Sequence, residues 1–282
     1  MAKKEDNKKS VHSPARRQAQ QGLICESLSF AASEAYKLLR TNLLFSMPEK
    51  PCHIIGVTSS VRGEGKSTTS VNLAYTFAQS GKKVLLIDGD LRLPTVATKL
   101  NLHRAPGLSN LLAGLNSERH CLQKSAQMEN WFIMSSGDIP PNPSELLGSE
   151  RMHALLDRYA EVFDYIILDL PPVNIVADAL VISKWLDGLV LVVRQNYITK
   201  RALNECMYQI EKLNAKLLGF VMTDAQVSES SYKKYGKYGK SYGYGYGYDY
   251  SYASASEPTD DTVTRAFINA TADVQESDLS EL

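Results

Sequence analysis

Six short apolar runs recur along the middle of the chain, and predicted helices or turn-forming segments separate them. They are 53–58, 83–88, 131–134, 165–169, 188–193 and 216–222. Each run is mostly apolar instead of alternating with polar residues, which is typical of strands covered on both faces. Strands that alternate with helices build a parallel sheet with helices on both sides. We therefore predict an α/β fold with a doubly wound, mostly parallel sheet.

A glycine-rich turn follows the first of these strands. Residues 60–68 read S-V-R-G-E-G-K-S-T and lie before a helix predicted over 66–79. Phosphate groups bind at such a junction because backbone N–H groups and a helix N-terminus point at the anion. Lys66 would reach the β- and γ-phosphates, and the Ser67 hydroxyl would bind Mg²⁺. The predicted ATP-binding residues are those of the whole turn: Ser60, Val61, Arg62, Gly63, Glu64, Gly65, Lys66, Ser67 and Thr68.

One position of this turn departs from the usual phosphate-loop pattern. The pattern G-x-x-x-x-G-K-[ST] begins with glycine, where this chain has Ser60. The alternative is a glycine turn with a structural role only. The strand–turn–helix setting favours a nucleotide site of the P-loop NTPase type.

Acidic residues mark the ends of two further strands. Asp88 and Asp90 follow the second strand, and Asp169 ends a later one. The carboxyl ends of parallel strands converge on the ligand crevice, so all three carboxylates should face the phosphates. With Lys66 they are the predicted catalytic residues, while Ser67, Asp88 and Asp169 are the predicted Mg²⁺ ligands. Two acids at positions i and i+2 suggest one for the metal and one that accepts a proton from an incoming hydroxyl.

Two of these acids also have an interpretation without catalysis. Asp90 could cap the helix that Pro94 opens, and Asp169 could cap a helix as well. Asp178 and Asp187 are interpreted as solvated loop or capping residues and lie outside the predicted site.

Nine of the fifteen tyrosines lie within 232–252, between Gly, Lys and Ser residues and without any aliphatic residue. Frequent glycine raises the entropy cost of ordering a backbone, so this segment cannot form a core and its hydroxyls stay reachable. A nucleotide site and a reservoir of tyrosines in one chain suggest that the first phosphorylates the second. The alternative is a sticky low-complexity tail. The predicted autophosphorylation sites are Tyr232, Tyr235, Tyr238, Tyr242, Tyr244, Tyr246, Tyr248, Tyr250 and Tyr252.

Composition bounds the domain organisation. Lys+Arg and Asp+Glu count 31 each. The chain therefore has no overall positive charge that would indicate nucleic-acid binding. We predict a basic disordered tail over 1–25, a phosphate-loop domain over 26–228, the tyrosine cluster over 229–252 and an acidic disordered tail over 253–282.

Four widely spaced cysteines indicate reduced thiols and no zinc site. No apolar run is long enough to cross a bilayer, so the chain is predicted to be soluble.

The three motifs, in this order, resemble those of the bacterial tyrosine kinases of capsule and exopolysaccharide synthesis. The resemblance covers roughly residues 30–252. It extends to the sequence segments between the motifs, and the tyrosine cluster is its most specific feature. The matching segments are S-E-A-Y-K-L-L-R-T-N at 33–42, G-L-S-N-L-L-A-G at 107–114 and G-D-I-P-P-N-P-S-E-L-L at 137–147.

The resemblance implies a protein-tyrosine kinase that uses ATP and Mg²⁺ and regulates polysaccharide synthesis and export. In that family the enzyme phosphorylates the tyrosine tail of an adjacent subunit. By matching positions, Lys66 and Ser67 would be the Walker A residues. Asp88 and Asp90 would be the Walker A′ pair, with Asp88 as the tyrosine base, and Asp169 would be the Walker B acid.

The resemblance also implies partners. A chain of this kind without a membrane span is similar to the stand-alone, cytoplasmic members of the family. A separate transmembrane adaptor of the polysaccharide co-polymerase type recruits these to the inner face of the cell membrane, completes their nucleotide site and activates them. A tyrosine phosphatase is a further expected partner. A homo-oligomeric ring is expected through the motif E-x-x-R-x-x-R, here Glu34, Lys37 and Arg40.

Three positions differ from the family pattern. Lys37 replaces the middle arginine of the ring motif, and lysine cannot form a bidentate fork with a carboxylate. Arg62 stands where proline is frequent. Thr223 and Asp224 follow the last strand, where an asparagine commonly contacts adenine.

The alternative function is that of a positioning ATPase of the deviant Walker A class, which shares the fold but has no kinase activity. Those proteins carry a signature lysine early in the loop, where this chain has Val61. They usually end in an amphipathic membrane-targeting helix, whereas this chain ends in a polar, tyrosine-laden segment.

Overall fold

The computed structural model describes residues 24–225 and one short strand, Arg265–Phe267. The segment 1–23, the tyrosine cluster and the remainder of 226–282 lie outside the described residues. The predictions of disorder and of autophosphorylation made for those segments stay predictions.

One sheet organises the described part of the chain. The strand order across it is β3-β4-β2-β5-β1-β6-β7-β8, and every neighbouring pair from β4 to β7 is parallel. All six strands predicted from the apolar runs are present, with ends within one residue of those expected. The strands are β1 (His53–Ser59), β2 (Val84–Asp88), β3 (Leu122–Lys124), β4 (Trp131–Met134), β5 (Tyr165–Asp169), β6 (Gly188–Arg194), β7 (Leu217–Thr223) and β8 (Arg265–Phe267).

Helices connect the parallel strands, so the predicted doubly wound α/β fold is confirmed. The described residues form nine α-helices and two 3₁₀ turns, Cys25–Ser27 and Ser183–Trp185. The helices are α1 (Phe30–Ser46), α2 (Lys66–Gln79), α3 (Val96–Leu100), α4 (Leu108–Leu112), α5 (Glu118–Cys121), α6 (Pro143–Leu147), α7 (Glu150–Ala160), α8 (Asp178–Ile182) and α9 (Lys200–Lys212).

The central strands are buried on both faces, which explains their unbroken apolar sequence. Alternate side chains of β5 belong to two different clusters. Ile166 and Leu168 pack in the cluster that includes Leu155 of α7. Ile167 and Tyr165 pack in the cluster of α1 and α2, and the Tyr165 ring stacks on Phe77 with 4.0 Å between ring centroids. A sheet covered in this way leaves only its strand ends for a ligand.

The two edges of the sheet differ from the sequence-based expectation. The edge strands β3 and β8 both pair antiparallel with their neighbours, and neither was predicted. β8 lies within the acidic segment that was predicted to be disordered. Residues 263–268 read V-T-R-A-F-I, and β-branched and aromatic residues favour strands. The prediction of disorder was based on the acidic composition of the whole segment 253–282, in which this short apolar stretch has little weight.

Helix α1 precedes the first strand in the chain and packs against α2 and β7. It begins after the 3₁₀ turn, where the Ser29 side chain caps it by accepting a hydrogen bond from the Ala32 N–H at 3.3 Å. Tyr36, Leu39 and Leu43 of α1 are buried. No helix within 24–225 is both long enough and apolar enough to span a bilayer.

The four cysteines are all buried and none forms a disulfide. The prediction of free thiols is therefore confirmed. Burial raises the pKa of Cys52 to about 11 and that of Cys206 to about 11, so these thiols stay protonated and unreactive at neutral pH.

Candidate nucleotide and catalytic site

The glycine-rich turn connects β1 to the N-terminus of α2. Gly63 and Gly65 adopt positive φ values of 84° and 94°, which glycine adopts at little cost and other residues do not. A Cβ atom on Gly65 would also lie 3.2 Å from Cγ2 of Thr223. The two glycines are therefore needed for the turn itself, and they leave the backbone open toward a ligand.

Glu64 supports the turn from inside. Its side chain is fully buried, and its carboxylate accepts hydrogen bonds from the N–H groups of Val61 at 2.7 Å and Arg194 at 3.3 Å. The Glu64 carbonyl accepts a bond from Oγ1 of Thr223 at 2.7 Å. The Glu64 side chain thus holds the predicted ATP loop against β6, and its backbone carbonyl holds the loop against Thr223 of β7. Thr223, which departs from the family pattern, has this supporting contact.

Lys66 is the centre of a cluster of charges at the carboxyl ends of the strands. Its Nζ atom lies 2.9 Å from Oδ2 of Asp90 and 3.6 Å from Oδ2 of Asp169. It also donates a hydrogen bond to the Ser67 hydroxyl at 3.1 Å. The structure thus brings together four of the residues that the sequence assigned to one site.

Burial and charge act in opposite directions in this cluster. Burial lowers the pKa of the Lys66 ammonium, but Asp169 and Asp90 raise it by more, so the net shift is upward. Burial raises the pKa of Asp169, although Lys66 and Ser67 oppose the shift. Burial and the nearby Asp169 carboxylate raise the pKa of Asp88 well above its usual range. Shifts of this kind are typical of catalytic sites.

Asp88 has a structural task in addition to its predicted catalytic one. It is fully buried. Its Oδ2 accepts a hydrogen bond from the N–H of Val96 at 3.1 Å, and its Oδ1 accepts one from the N–H of Asp90 at 3.3 Å. Asp88 therefore fastens the start of α3 to the end of β2. Asp90 does not cap a helix, so that alternative is wrong: its Oδ1 accepts a bond from the Leu93 N–H at 3.0 Å in the turn before α3, whose N-cap is Thr95.

A cavity of about 330 Å³ opens beside this cluster. Asp90 lines it, whereas Asp88 and Asp169 do not. Ser60, Val61 and Glu64 do not line it. The remaining residues of the predicted ATP loop do: Arg62, Gly63, Gly65, Lys66, Ser67 and Thr68.

The side chains fit a magnesium ion that arrives with a nucleotide. Oδ2 of the fully buried Asp169 has no hydrogen-bond partner among the described residues, so it can accept a metal-bound water. Within 24–225 no group of three or more His, Cys, Asp or Glu side chains could hold a metal ion by itself. Magnesium in kinases is held by one or two carboxylates together with substrate phosphates. Ser67 and Asp169 are the residues that would hold it here, and Asp88 pairs in register with Asp169 at the end of the neighbouring strand.

Asp178 was wrongly interpreted as a solvated residue. Its side chain is fully buried at the N-terminus of α8 and binds Arg92 through both oxygens, at 2.9 and 3.1 Å. The Ser144 hydroxyl donates a further bond to it at 2.5 Å. Arg92 lines the cavity, so this cluster ties the loop after Asp90 to α6 and α8. The spacing of Asp90 and Arg92 was visible in the sequence, but nothing there connected Arg92 to Asp178.

Asp187 is not solvated either. Its Oδ2 accepts a hydrogen bond from the Ile54 N–H at 2.7 Å, and its Oδ1 lies 2.5 Å from Nζ of Lys50. It supports the start of β1 at the opposite end of the strand from the cavity.

Lys99 is a site residue that the sequence analysis missed. It lines the same cavity, and its Nζ donates a hydrogen bond to Oγ1 of Thr68 at 3.0 Å. It lies on the short helix α3, whose five residues do not form an apolar pattern of helical period in the sequence.

The predicted ring-forming residues lie on α1, and none of them lines the cavity. Lys37 pairs with Glu34 of its own helix at 2.7 Å. Arg40 donates a hydrogen bond to the Thr76 carbonyl of α2 at 2.7 Å. Their role in assembly stays a prediction.

Comparisons with known proteins agree with this geometry. Residues 52–220 match a family model described as an AAA domain. The chain is 40% identical over 207 residues to a tyrosine-protein kinase of Bacillus subtilis, YwqD, a match that covers 73% of this chain and 86% of that protein. The chain belongs to the bacterial tyrosine kinases.

Solved structures give the same result for the fold. The kinase domain of the Escherichia coli tyrosine kinase ETK is 32% identical with a TM-score of 0.65, over 76% of this chain and 80% of that one. The cell division ATPase MinD of Pyrococcus furiosus shares the fold with a TM-score of 0.52, at 24% identity over 63% of this chain and 74% of that one. The prediction of a Walker-type protein-tyrosine kinase is thereby confirmed, and the likeness to the positioning ATPase concerns the fold alone.

The contacts of Glu64 lead to a test of how the tyrosine kinase holds its phosphate loop. Glu64→Ala removes the acceptor for two backbone N–H groups and should weaken ADP binding by about tenfold, the effect of losing one charge-assisted hydrogen bond. Glu64→Gln keeps one carbonyl oxygen as an acceptor, so its affinity for ADP should lie between those of the wild type and Glu64→Ala. Titration of a fluorescent ADP measures the affinities. Glu161→Ala, at an exposed position, is the control. Equal affinity in all four proteins would show that the loop holds its shape without Glu64.

The buried carboxylate of Asp178 predicts a loss of stability on substitution. Asp178→Ala should lower the free energy of unfolding by about 2–3 kcal/mol, less than a fully buried pair because Arg92 can turn toward solvent. Urea unfolding measures the loss. The control is Asp157→Ala, whose side chain is 68% exposed and should change stability by less than about 0.5 kcal/mol. If both variants lose the same amount, the Arg92–Asp178 pair does not stabilise the fold.

Proposed function

We propose that this tyrosine kinase transfers the γ-phosphate of ATP to the tyrosine cluster at 232–252, and that the cluster belongs to a neighbouring copy of the chain. The observation that carries the proposal is the Lys66 cluster, in which one ammonium group and three buried carboxylates meet at the wall of a cavity. Phosphoryl transfer needs a cation for the phosphates, acids for Mg²⁺ and a base for the acceptor hydroxyl. All of these are present at one strand edge.

In this proposal Lys66 changes partners during the reaction. Its ammonium neutralises Asp90 and Asp169 in the structure. With ATP bound, Lys66 would turn toward the β- and γ-phosphates. Ser67 and Asp169 would hold Mg²⁺, whose charge would offset that of the carboxylates. Positive charge then faces the transferring phosphoryl group, where negative charge develops.

The base for the tyrosine hydroxyl would come from the Walker A′ pair, and we assign it to Asp88. A carboxylate whose pKa is raised toward neutrality is a better proton acceptor than an ordinary one, and burial raises the pKa of Asp88. Asp90 lines the cavity and holds Lys66. Since Asp88 is buried and does not line the cavity, the turn that joins it to Asp90 would have to shift to present it to a phenol.

The biological setting follows from the family resemblance. We propose that the kinase regulates capsule and exopolysaccharide synthesis and export. It would work in the cytoplasm at the inner face of the membrane, recruited and activated by a transmembrane adaptor of the polysaccharide co-polymerase type. A tyrosine phosphatase would reverse the modification. A ring of copies formed through Glu34, Lys37 and Arg40 would place each cluster at a neighbouring active site.

The first test removes the phosphate-binding cation. Lys66→Met should lower phosphotyrosine formation with ATP and Mg²⁺ by at least about 100-fold, since one lost electrostatic contact to the transition state costs that much. Lys184→Met, at an exposed position on the ring of Trp185, should leave the signal unchanged. Immunoblotting measures phosphotyrosine.

The folded state of this variant needs its own measurement, because Lys66 balances two buried carboxylates. Thermal unfolding of Lys66→Met gives the temperature below which its activity is compared with wild type. A phosphotyrosine signal equal to that of wild type in the folded variant would end the kinase proposal for this site.

The second test assigns the base. Asp88→Asn should reduce turnover strongly, because an amide cannot accept the phenol proton, and should change the affinity for ADP much less. Asp90→Asn is the matched comparison at the neighbouring carboxylate. Turnover at saturating ATP and the dissociation constant of ADP are measured for both. If Asp88→Asn loses ADP binding but keeps its turnover at saturation, the base is not Asp88, and Asp90 becomes the candidate.

A further inference from the structure

Lys99 places a second ammonium group at the phosphate cavity. It is the fourth residue of α3, and its Nζ donates a hydrogen bond to Oγ1 of Thr68 at 3.0 Å. Thr68 belongs to the first turn of α2, directly after Lys66 and Ser67. The Lys99 ammonium therefore lies at the N-terminus of the helix that the glycine-rich turn enters, where anions bind most readily.

Lys99 differs from Lys66 in having no acidic partner. Lys66 lies within ion-pair distance of Asp90 and Asp169, whereas no carboxylate within residues 24–225 forms an ion pair with Lys99. Burial lowers the pKa of the Lys99 ammonium; the Asp169 carboxylate opposes this shift and the Lys66 ammonium adds to it. A half-buried charge without a counter-ion is costly, and an anion in the cavity would remove this cost.

The position of Lys99 does not depend on a bound ligand. Asp88 accepts the N–H of Val96 at the start of α3, and the Lys99 N–H bonds the Thr95 carbonyl at 3.0 Å within the same turn. The helix is thus anchored to the end of β2, and its lysine is held over the cavity before any nucleotide arrives. Preorganised charges of this kind bind without a reorganisation cost.

We propose that Lys99 is a second phosphate-binding lysine of this kinase, and that it binds the diphosphate part of the nucleotide, which ADP retains after transfer. Lys66 serves the γ-phosphate end, where Asp90 and Asp169 gather. Lys99 stands beside Thr68, next to the backbone N–H groups that cradle the α- and β-phosphates in a phosphate loop. The inference rests on the proposed nucleotide site, and it does not depend on which hydroxyl accepts the phosphate.

The experiment compares the binding of two nucleotides. A fluorescent ADP and a non-hydrolysable ATP analogue, each with Mg²⁺, are titrated into wild type, Lys99→Met, Lys99→Arg and Lys184→Met. Lys99→Met should weaken the binding of both nucleotides by the same factor, about 10- to 100-fold, as expected for a lost charge-assisted hydrogen bond to phosphate. Lys99→Arg keeps the charge and should retain most of the affinity. Lys184→Met should match wild type.

The possible outcomes separate the alternatives. A loss confined to the ATP analogue would place Lys99 on the γ-phosphate and overturn the diphosphate assignment. Thermal unfolding checks that Lys99→Met is folded. If the folded variant binds both nucleotides with unchanged affinity, Lys99 only holds Thr68 and the proposal is overturned. If Lys99→Met does not fold, Lys99→Gln keeps a donor for Thr68 without the charge and is judged by the same criterion.

These titrations, combined with a phosphotyrosine immunoblot of the wild-type protein, distinguish this proposal from the proposed function. Wild-type protein that binds both nucleotides but forms no phosphotyrosine would overturn the proposed phosphorylation of the tyrosine cluster and leave Lys99 as a nucleotide-binding residue. Wild-type protein that binds neither nucleotide would overturn both.

Discussion

The ion pairs of Lys66 with Asp90 and Asp169 are the interaction on which the described structure depends. Three carboxylates with little or no exposure meet at the ends of β2 and β5, and such a group of like charges is unfavourable without a cation. Lys66 supplies that cation from the first position of α2. The glycine-rich turn, the parallel register of the strands and the helix N-terminus all serve to place this one ammonium group.

Around this centre, three buried polar contacts hold the loops in place. Glu64 holds the phosphate loop against β6, Asp88 holds α3 against β2, and Asp178 holds Arg92 of the cavity wall. In each case a carboxylate accepts from backbone N–H groups or from a guanidinium group. Loops that surround a phosphate site cannot rely on apolar packing, because their inner faces must stay polar, and these contacts replace it.

The sequence predicts the sheet and the centre of the site well. Unbroken apolar runs give strands covered on both sides, and the burial of Ile166 and Ile167 in different clusters is the reason. The positions of Lys66, Asp88, Asp90 and Asp169 follow from strand ends that converge on one edge. Such features can be predicted because an unbroken apolar run indicates a strand buried on both faces, and the residues that follow it lie at the carboxyl end, where ligands bind.

The parts that could not be predicted depend on contacts between distant residues. The five-residue helix α3 is too short for a periodic pattern, so Lys99 had no visible connection to Thr68. Asp178 was indistinguishable from a loop residue until Arg92 was found beside it, 86 positions earlier in the chain. Edge strands β3 and β8 are three residues each, and their pairing is decided by the neighbouring strand as much as by their own sequence.

The Lys66 cluster also has a thermodynamic consequence for what the kinase binds. A nucleotide can recruit Lys66 only by taking it from two buried carboxylates, and those carboxylates then need another positive charge. Free polyphosphate offers none, whereas a polyphosphate that carries a divalent ion restores neutrality on both sides of the exchange. If Lys66 binds the phosphates as proposed, metal and nucleotide would be coupled ligands, and each should strengthen the binding of the other. The cluster of Lys66, Asp90 and Asp169 would then favour the metal complex of the nucleotide over the bare anion.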